Sequence, residues 1–334
     1  MYKTIADKKS VFHEFIINTE DELQKVISQN GSNDALRFRG VCEAKYTMMS
    51  SLQRNCSPQL SGRQKDYMTV LLYRVKTAKM VNDYFNSKNR PINDLTCMAL
   101  MQHLGLPTPL LDFSVDLNVA LSFAADGVKM DSGSDETDSY VSLYVFDKNY
   151  EFEVGSSVQQ VYMNGVATGE QMLKEYLENH PNGNIDASVL DEVNQYVKWE
   201  DLKELQIAFV EYQPIAPAVV MLSGQELDLG NPNLNRQKGC FLINLYDETT
   251  PLEDNWNGRS NESRNQFWAT RSDATVWPYK GAITRDKMTC YDIKKDVIMS
   301  WAAKYKCDLY DTTSETLQLK NKLIEIKEKL DSEI

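Results

Sequence analysis

Two guanidinium groups stand one residue apart in "LRFRGV", residues 36–41, and a glycine directly follows the second. On an extended strand, Arg37, Arg39 and Val41 share one face, and Leu36, Phe38 and Gly40 share the other. An arginine held on a strand can fork two hydrogen bonds onto phosphate oxygens, so the pair suits an anionic ligand such as a nucleotide or a phosphate backbone. Arg39, beside the glycine, is the expected ligand group, and Arg37 a rim charge or packing residue. Two other stretches combine glycine, polar groups and a strand edge. "MQHLGLPTPLLDFSVDLNVALSFA", residues 101–124, holds Gln102, His103, Asp112, Phe113 and Ser114, and "NLNRQKGCFLI", residues 233–243, holds Gln237. Each also has a plain structural reading. Arg39 can pair with a carboxylate on the sheet, Gln102 and His103 can cap a helix end, and Gln237 can bond a neighbouring loop.

The charge distribution favours the ligand reading at the first stretch. The chain carries a net charge of -12, which argues against a protein that coats nucleic acid. Residues 35–90, however, hold eleven Lys or Arg against three acids, a local +8, whereas residues 126–204 hold five bases against seventeen acids, a local -12. A positive field inside an acidic protein suits an anionic guest. The alternative for residues 63–90 is a solvated helix face. Six cysteines include no CxxC pair, and with three histidines no zinc pattern can be assembled. His103 paired with one of the cysteines as a nucleophile is a minor alternative. No apolar run approaches a membrane span and the N-terminus lacks a signal core, so a cytoplasmic protein without membrane contact is expected.

These residues need elements to position them. "NTEDELQKVI" opens a helix, with Thr19 as N-cap and Glu22 completing a capping box. "ALRFRGV" follows as a strand. The apolar stripe Tyr67, Val70, Leu71, Ala78, Val81 and Phe85 predicts one long helix from about Arg63. "DLTCMALMQHLG" is a second helix stopped by Gly105, and the prolines of "LPTPLLDF" forbid its continuation. "DLNVALSFAAD" is a short helix buried through Leu117, Ala120, Leu121 and Ala124. Residues 131–139 are an acidic loop, and "YVSLYVFD" alternates as a strand. Residues 158–204 read as a helical insertion. "LQIAFVEY", "APAVVML" and "GCFLINLYD" are strand candidates, and two helices close the chain. The expected fold class is α+β, divided as a lead-in helix region over 1–34, a domain over 35–313 with an acidic insertion near 150–204, and a C-terminal helix over 314–334.

Four motifs in order, F-R-G, Q-H-x-G-L-P-T-x-L-L-D, A-x-x-F-A and Q-x-G-x-F, resemble the FRG domain family over roughly residues 35–313. The closing "DVIMSWAAKYKCDLYDTT" is similar to the family's last segment. The chain departs from the family pattern at Pro109, where an arginine is usual, and at Phe113 and Ser114, where Trp and Thr are usual. The order of parts also resembles the R-S-E class of ADP-ribosyltransferases, which implies a mixed or antiparallel sheet core of that type with flanking helices and a helical insertion.

That resemblance implies NAD as cofactor. Arg39 and Ser114, with Gly40, Phe113 and Gln102, would hold the dinucleotide, Gly40 letting it approach the backbone. Phe113 or Phe123 would stack on nicotinamide. A carboxylate would stabilise the oxocarbenium-like state. Where the transferases use glutamate this chain offers neutral Gln237, with Asp112 and Glu226 as substitute carboxylates and His103 as acid or base. Three readings follow. The first is a transferase or NAD glycohydrolase acting on a protein or nucleic-acid acceptor, a toxin-like or phage-defence effector controlled by a regulatory partner or by its acidic insertion. The second is a binding module that recognises a nucleotide or RNA without chemistry. The third is a purely structural Arg39–Asp112 pair.

Overall fold

The computed structural model describes residues 1–55, 64–88, 92, 94–130, 133–147, 232–243, 251, 253 and 288–333. The expected insertion over 158–204, the strand candidates "LQIAFVEY" and "APAVVML", and Glu226 lie outside the described residues.

The described elements follow one another as α1 (Ile5–Lys9), β1 (His13–Ile17), α2 (Glu20–Asn30), β2 (Leu36–Val41), α3 (Ser51–Arg54), α4 (Gln64–Thr77) and α5 (Lys79–Ser87). Then come α6 (Asp94–His103), β3 (Leu110–Ser114), α7 (Leu117–Ala125), β4 (Tyr140–Asp147), α8 (Pro232–Arg236) and β5 (Gly239–Ile243). The chain closes with β6 (Met288–Lys294), α9 (Lys295–Tyr305) and α10 (Ser314–Asp331). The class is α+β, and the described strands form one six-stranded sheet in the order β1-β6-β4-β2-β3-β5. β1 runs parallel to β6, and every other pairing is antiparallel.

Local chemistry explains most boundaries. Thr19 and Glu22 form the predicted capping box of α2. Gly105, at φ 86°, ends α6: its N–H reaches the Gln102 carbonyl and the Leu106 N–H reaches Met101, the two bonds of a left-handed C-cap. The alternation of β4 serves a strand covered on both faces. Ser142, Tyr144 and Phe146 meet one layer, and Val141, Leu143 and Val145 meet the other, with all six buried.

Two expectations are corrected. The stripe from Tyr67 to Phe85 is not one helix, because Ala78 adopts an extended backbone, φ -68° and ψ 124°, and separates α4 from α5. Asn82 Nδ2 donates to the Lys76 carbonyl at 2.6 Å, satisfying a group that the break exposes, and also to the Ala78 carbonyl at 3.0 Å, which already accepts the Asn82 N–H as the first bond of α5. The N-terminal residues are not purely helical, since β1 joins the sheet edge beside β6.

One layer against the sheet is formed by α2, α7 and α9, around Phe38, Leu121, Leu143 and Trp301. The opposite face holds Phe12, Phe113, Tyr144 and Phe146, and also a buried polar row. Lys8 Nζ donates to Asp292 Oδ1 at 2.5 Å and to Ser142 Oγ at 2.7 Å, and Ser142 Oγ donates to the same carboxylate oxygen at 2.6 Å. This row fastens α1 to the centre of the sheet. A third cluster joins α4, α5, α6 and α10 to Leu110 and Phe241 at the β3–β5 end. Among the described residues no helix is long and apolar enough to cross a membrane.

Candidate functional site at the split between two central strands

β2 pairs with β4 at six positions, from Leu36↔Asp147 to Val41↔Ser142, and β3 pairs with β5 at five. Between β2 and β3 themselves the register holds at one position, Phe38↔Ser114. The sheet therefore opens beyond that bridge. Arg39 occupies the opening: its Nη1 donates to the carbonyl oxygen of Asp112 at 2.8 Å, in place of a backbone rung. A cavity of about 160 Å³ lies there, lined by Phe38, Arg39, Gly40, Asp112, Phe113, Ser114 and Phe123.

Arg39 is partly buried, and its Nε has no hydrogen-bond partner among the described residues. Burial pushes its pKa down, the nearby Asp112 opposes that shift, and Arg54 adds to it. A guanidinium remains charged under such a shift, so this site holds a poorly solvated cation with unused donor capacity. The pairing expected from the structural reading, guanidinium to carboxylate, is not what Arg39 makes with Asp112; it bonds the main-chain oxygen. Arg37 is buried and turns back on its own strand start, donating to the carbonyls of Asp34 and Leu36 at 2.9 and 3.0 Å. Of its two expected roles it takes the packing one.

The Asp112 carboxylate is held from behind. Gln102 Nε2 donates to Oδ2 at 2.6 Å, and Gln102 Oε1 accepts from the Thr108 hydroxyl, which fixes the amide's direction. Asp112 Oδ1 is buried without a hydrogen-bond partner among the described residues, and His103 Nε2 stands 3.8 Å from it. The His103 ring is buried and tilted against Phe241, with centroids 5.4 Å apart. Gln102 therefore positions Asp112 instead of lining the cavity, and His103 lies behind the carboxylate.

Gly40 has a steric reason besides the expected one. A Cβ at residue 40 would sit 1.8 Å from the carbonyl oxygen of Ala120 and 2.6 Å from the amide nitrogen of Ala124. The glycine lets α7 lie directly on β2. Its backbone borders the cavity as well, but the steric demand comes from the helix.

Ser114 is also structural in its bonds. Its Oγ donates to the Gln237 carbonyl at 2.7 Å and accepts from the Asp116 N–H at 3.0 Å, so it links the end of β3 to the turn before β5 and orients no carboxylate. Gln237 is buried, its Nε2 donating to the Leu309 carbonyl at 2.9 Å, and it is not among the cavity's lining residues. This matches the plain expectation of a bond to a neighbouring loop. Phe113, 3% exposed, packs edge-on to Phe146, whereas Phe123 is half-buried and borders the cavity. The aromatic with a face to offer is Phe123.

The structure thus brings together Arg39, Gly40, Asp112, Phe113 and Ser114 at one cavity, places Gln102 and His103 as its backing, and leaves Gln237 outside. Three contributors went unread in the sequence. Lys238, at φ 43°, pairs through Nζ with Asp116 at 2.6 Å beside Ser114. Glu253, buried, accepts from the Met48 N–H at 3.0 Å and from the Tyr2 hydroxyl at 2.7 Å, and its charge reaches Arg39. The segment before α10 carries Tyr310 against Phe123. Only the last had a signal, the aromatic within "CDLYDTT".

No curated protein and no solved structure matches the chain. The first two motifs and the α7 segment, which supply every residue lining the cavity, fall inside residues 34–132, whereas Gln237-x-Gly239-x-Phe241 and the closing segment fall outside that range. Residues 34–132 match the family model of the FRG domain, and the chain carries an FRG domain over that stretch.

Proposed function

We propose that the opening between β2 and β3 is a nucleotide-binding site, with NAD the first ligand to test. The observation that supports this reading is the Arg39 guanidinium, desolvated and with an unused donor at Nε, beside a cavity that also presents Asp112 and the Phe123 ring. At ~30 Å³ per water, the cavity corresponds to about five water volumes and admits one ring or one phosphate, leaving the rest of a dinucleotide outside. Arg39 takes a phosphate or ribose oxygen. In an ADP-ribosyltransferase-like or glycohydrolase reaction, the Asp112 carboxylate stabilises the cation that develops as the nicotinamide bond breaks. An effector of toxin or phage-defence type in the cytoplasm, acting on a macromolecule, is the setting for such an activity.

The second reading, a nucleotide or RNA sensor without chemistry, is favoured by Gln237, whose amide is neutral and already committed to Leu309. The two separate on incubation with NAD labelled in the nicotinamide ring. Release of label that disappears in both Arg39→Ala and Asp112→Asn supports the enzyme. Saturable binding without release, abolished by Arg39→Ala, supports the sensor. Release that survives Arg39→Ala refutes the site.

A further inference from the structure

The chain from Lys306 to Thr313 crosses between α9 and α10 with no helix or strand of its own, yet it is fastened along its length. Lys306 Nζ meets Asp126 Oδ1 at 2.8 Å, and the Cys307 N–H donates to Ser122 Oγ at 2.9 Å. The Leu309 carbonyl accepts from Gln237 at 2.9 Å, and the Asp311 N–H donates to Asn233 Oδ1 at 2.5 Å. Leu309 itself is buried. The next residue, Tyr310, is 49% exposed. Its ring stands edge-on to Phe123, with centroids 6.4 Å apart and planes at 85°, and its hydroxyl donates to Asp126 Oδ2 at 3.1 Å. Burial of the hydroxyl and the charges of Asp126 and Asp112 push the Tyr310 pKa upward, which places this tyrosine within the field of the cavity's own carboxylate.

A tyrosine tethered at its hydroxyl, anchored through the preceding residue, and left half bare is a fixed aromatic surface awaiting a partner. Such rings give contact area at low entropic cost. We propose that Tyr310 and Phe123 form an aromatic wall that receives a planar ring of the ligand, and that Gln237 is the positioning residue that holds Tyr310 in place. This rests on the nucleotide reading above and narrows it: the guest is a ring-bearing nucleotide whose ring contributes to affinity.

The test is calorimetric titration of the full chain with two probes, NAD, which carries rings, and ribose 5-phosphate, which carries phosphate and none. In the wild type NAD is expected to bind at least tenfold more tightly than ribose 5-phosphate. Tyr310→Ala should weaken NAD roughly tenfold, the size of one stacking contact, and leave ribose 5-phosphate unchanged, whereas Tyr310→Phe stays within about twofold of wild type on the same scale. Gln237→Leu should weaken NAD as Tyr310→Ala does, with no further loss in the double variant, and should speed amide exchange over residues 306–313. Tyr310 is half exposed, so Tyr310→Ala carries the test if Gln237→Leu does not fold. Arg39-dependent binding of both probes with NAD unaffected by Tyr310→Ala overturns the aromatic wall and leaves the nucleotide site standing. Binding of neither probe overturns both.

Discussion

Glu14 is a carboxylate placed where a carboxylate is costly, and its removal has a calculable consequence. Its side chain is fully buried on β1, neither oxygen has a hydrogen-bond partner among the described residues, and Lys9 Nζ stands 3.8 Å away on a side chain 56% exposed. Burial first, and the charge of Asp292 second, raise its pKa from 4.5 to about 7. The folded protein therefore binds a proton between pH 4.5 and 7 that the unfolded chain has released. Stability from this group is full below pH 4.5 and is lost as pH rises through 7, a change of about 3 kcal/mol at 1.36 kcal/mol per pKa unit. Glu14→Gln removes the titration. Urea melts at pH 5, 6, 7 and 8, followed by tryptophan emission, should show wild type weakening across the series relative to the variant. At pH 8 Glu14→Gln should be the more stable by about 1–3 kcal/mol, the lower figure allowing for unpaired amide hydrogens. Histidine titrations cancel in the difference between the two proteins. A difference that does not change with pH would refute the assignment of a raised pKa to this buried carboxylate.

Three other outcomes follow from contacts described above. Gly40→Ala should cost about 3 kcal/mol, the upper end for overpacking, and lower probe binding, because the backbone of α7 must lift from β2; denaturant midpoints and NAD titration check both. Lys8→Met leaves Asp292 buried and uncompensated and should cost about 3–5 kcal/mol, whereas adding Asp292→Leu should restore much of the loss in the same melts. Ser114→Ala strands the Gln237 carbonyl and the Asp116 N–H and should cost about 1–3 kcal/mol; a thermal melt reads it, and a stability equal to wild type would mean that water or a neighbour satisfies both groups.

What could be read from the chain depended on the range of the interaction. The capping box of α2, the Gly105 stop and the alternation of β4 are decided by residues within one or two turns, and each stands where the sequence places it. The break at Ala78 is not so decided. No Pro or Gly marks it, and the Lys76 carbonyl it frees is taken by the side chain of Asn82, six residues on. β1 was missed because its partner, β6, lies more than 270 residues away in sequence. At the site, Arg39, Asp112 and Ser114 were legible as residues of one locality, but their bonds were not. Gly40 invited a ligand explanation, while the structure gives a helix; Gln237 invited a catalytic one, while its amide holds a loop. Residue type narrowed the chemistry, and only tertiary placement assigned the partners.

The single rung between Phe38 and Ser114 means that the sheet is a pair of ladders, β1-β6-β4-β2 and β3-β5, meeting along a seam. Within the sheet, give concentrates on such a line, because parting there breaks one bridge and the Arg39–Asp112 contact, with the packing of α7 on β2 holding across it, while parting elsewhere breaks whole ladders. The space at Arg39 is then an elastic quantity that widens as the two blocks separate. A guest that grips both banks acts as a clasp, and the molecule should stiffen as a whole when it is filled.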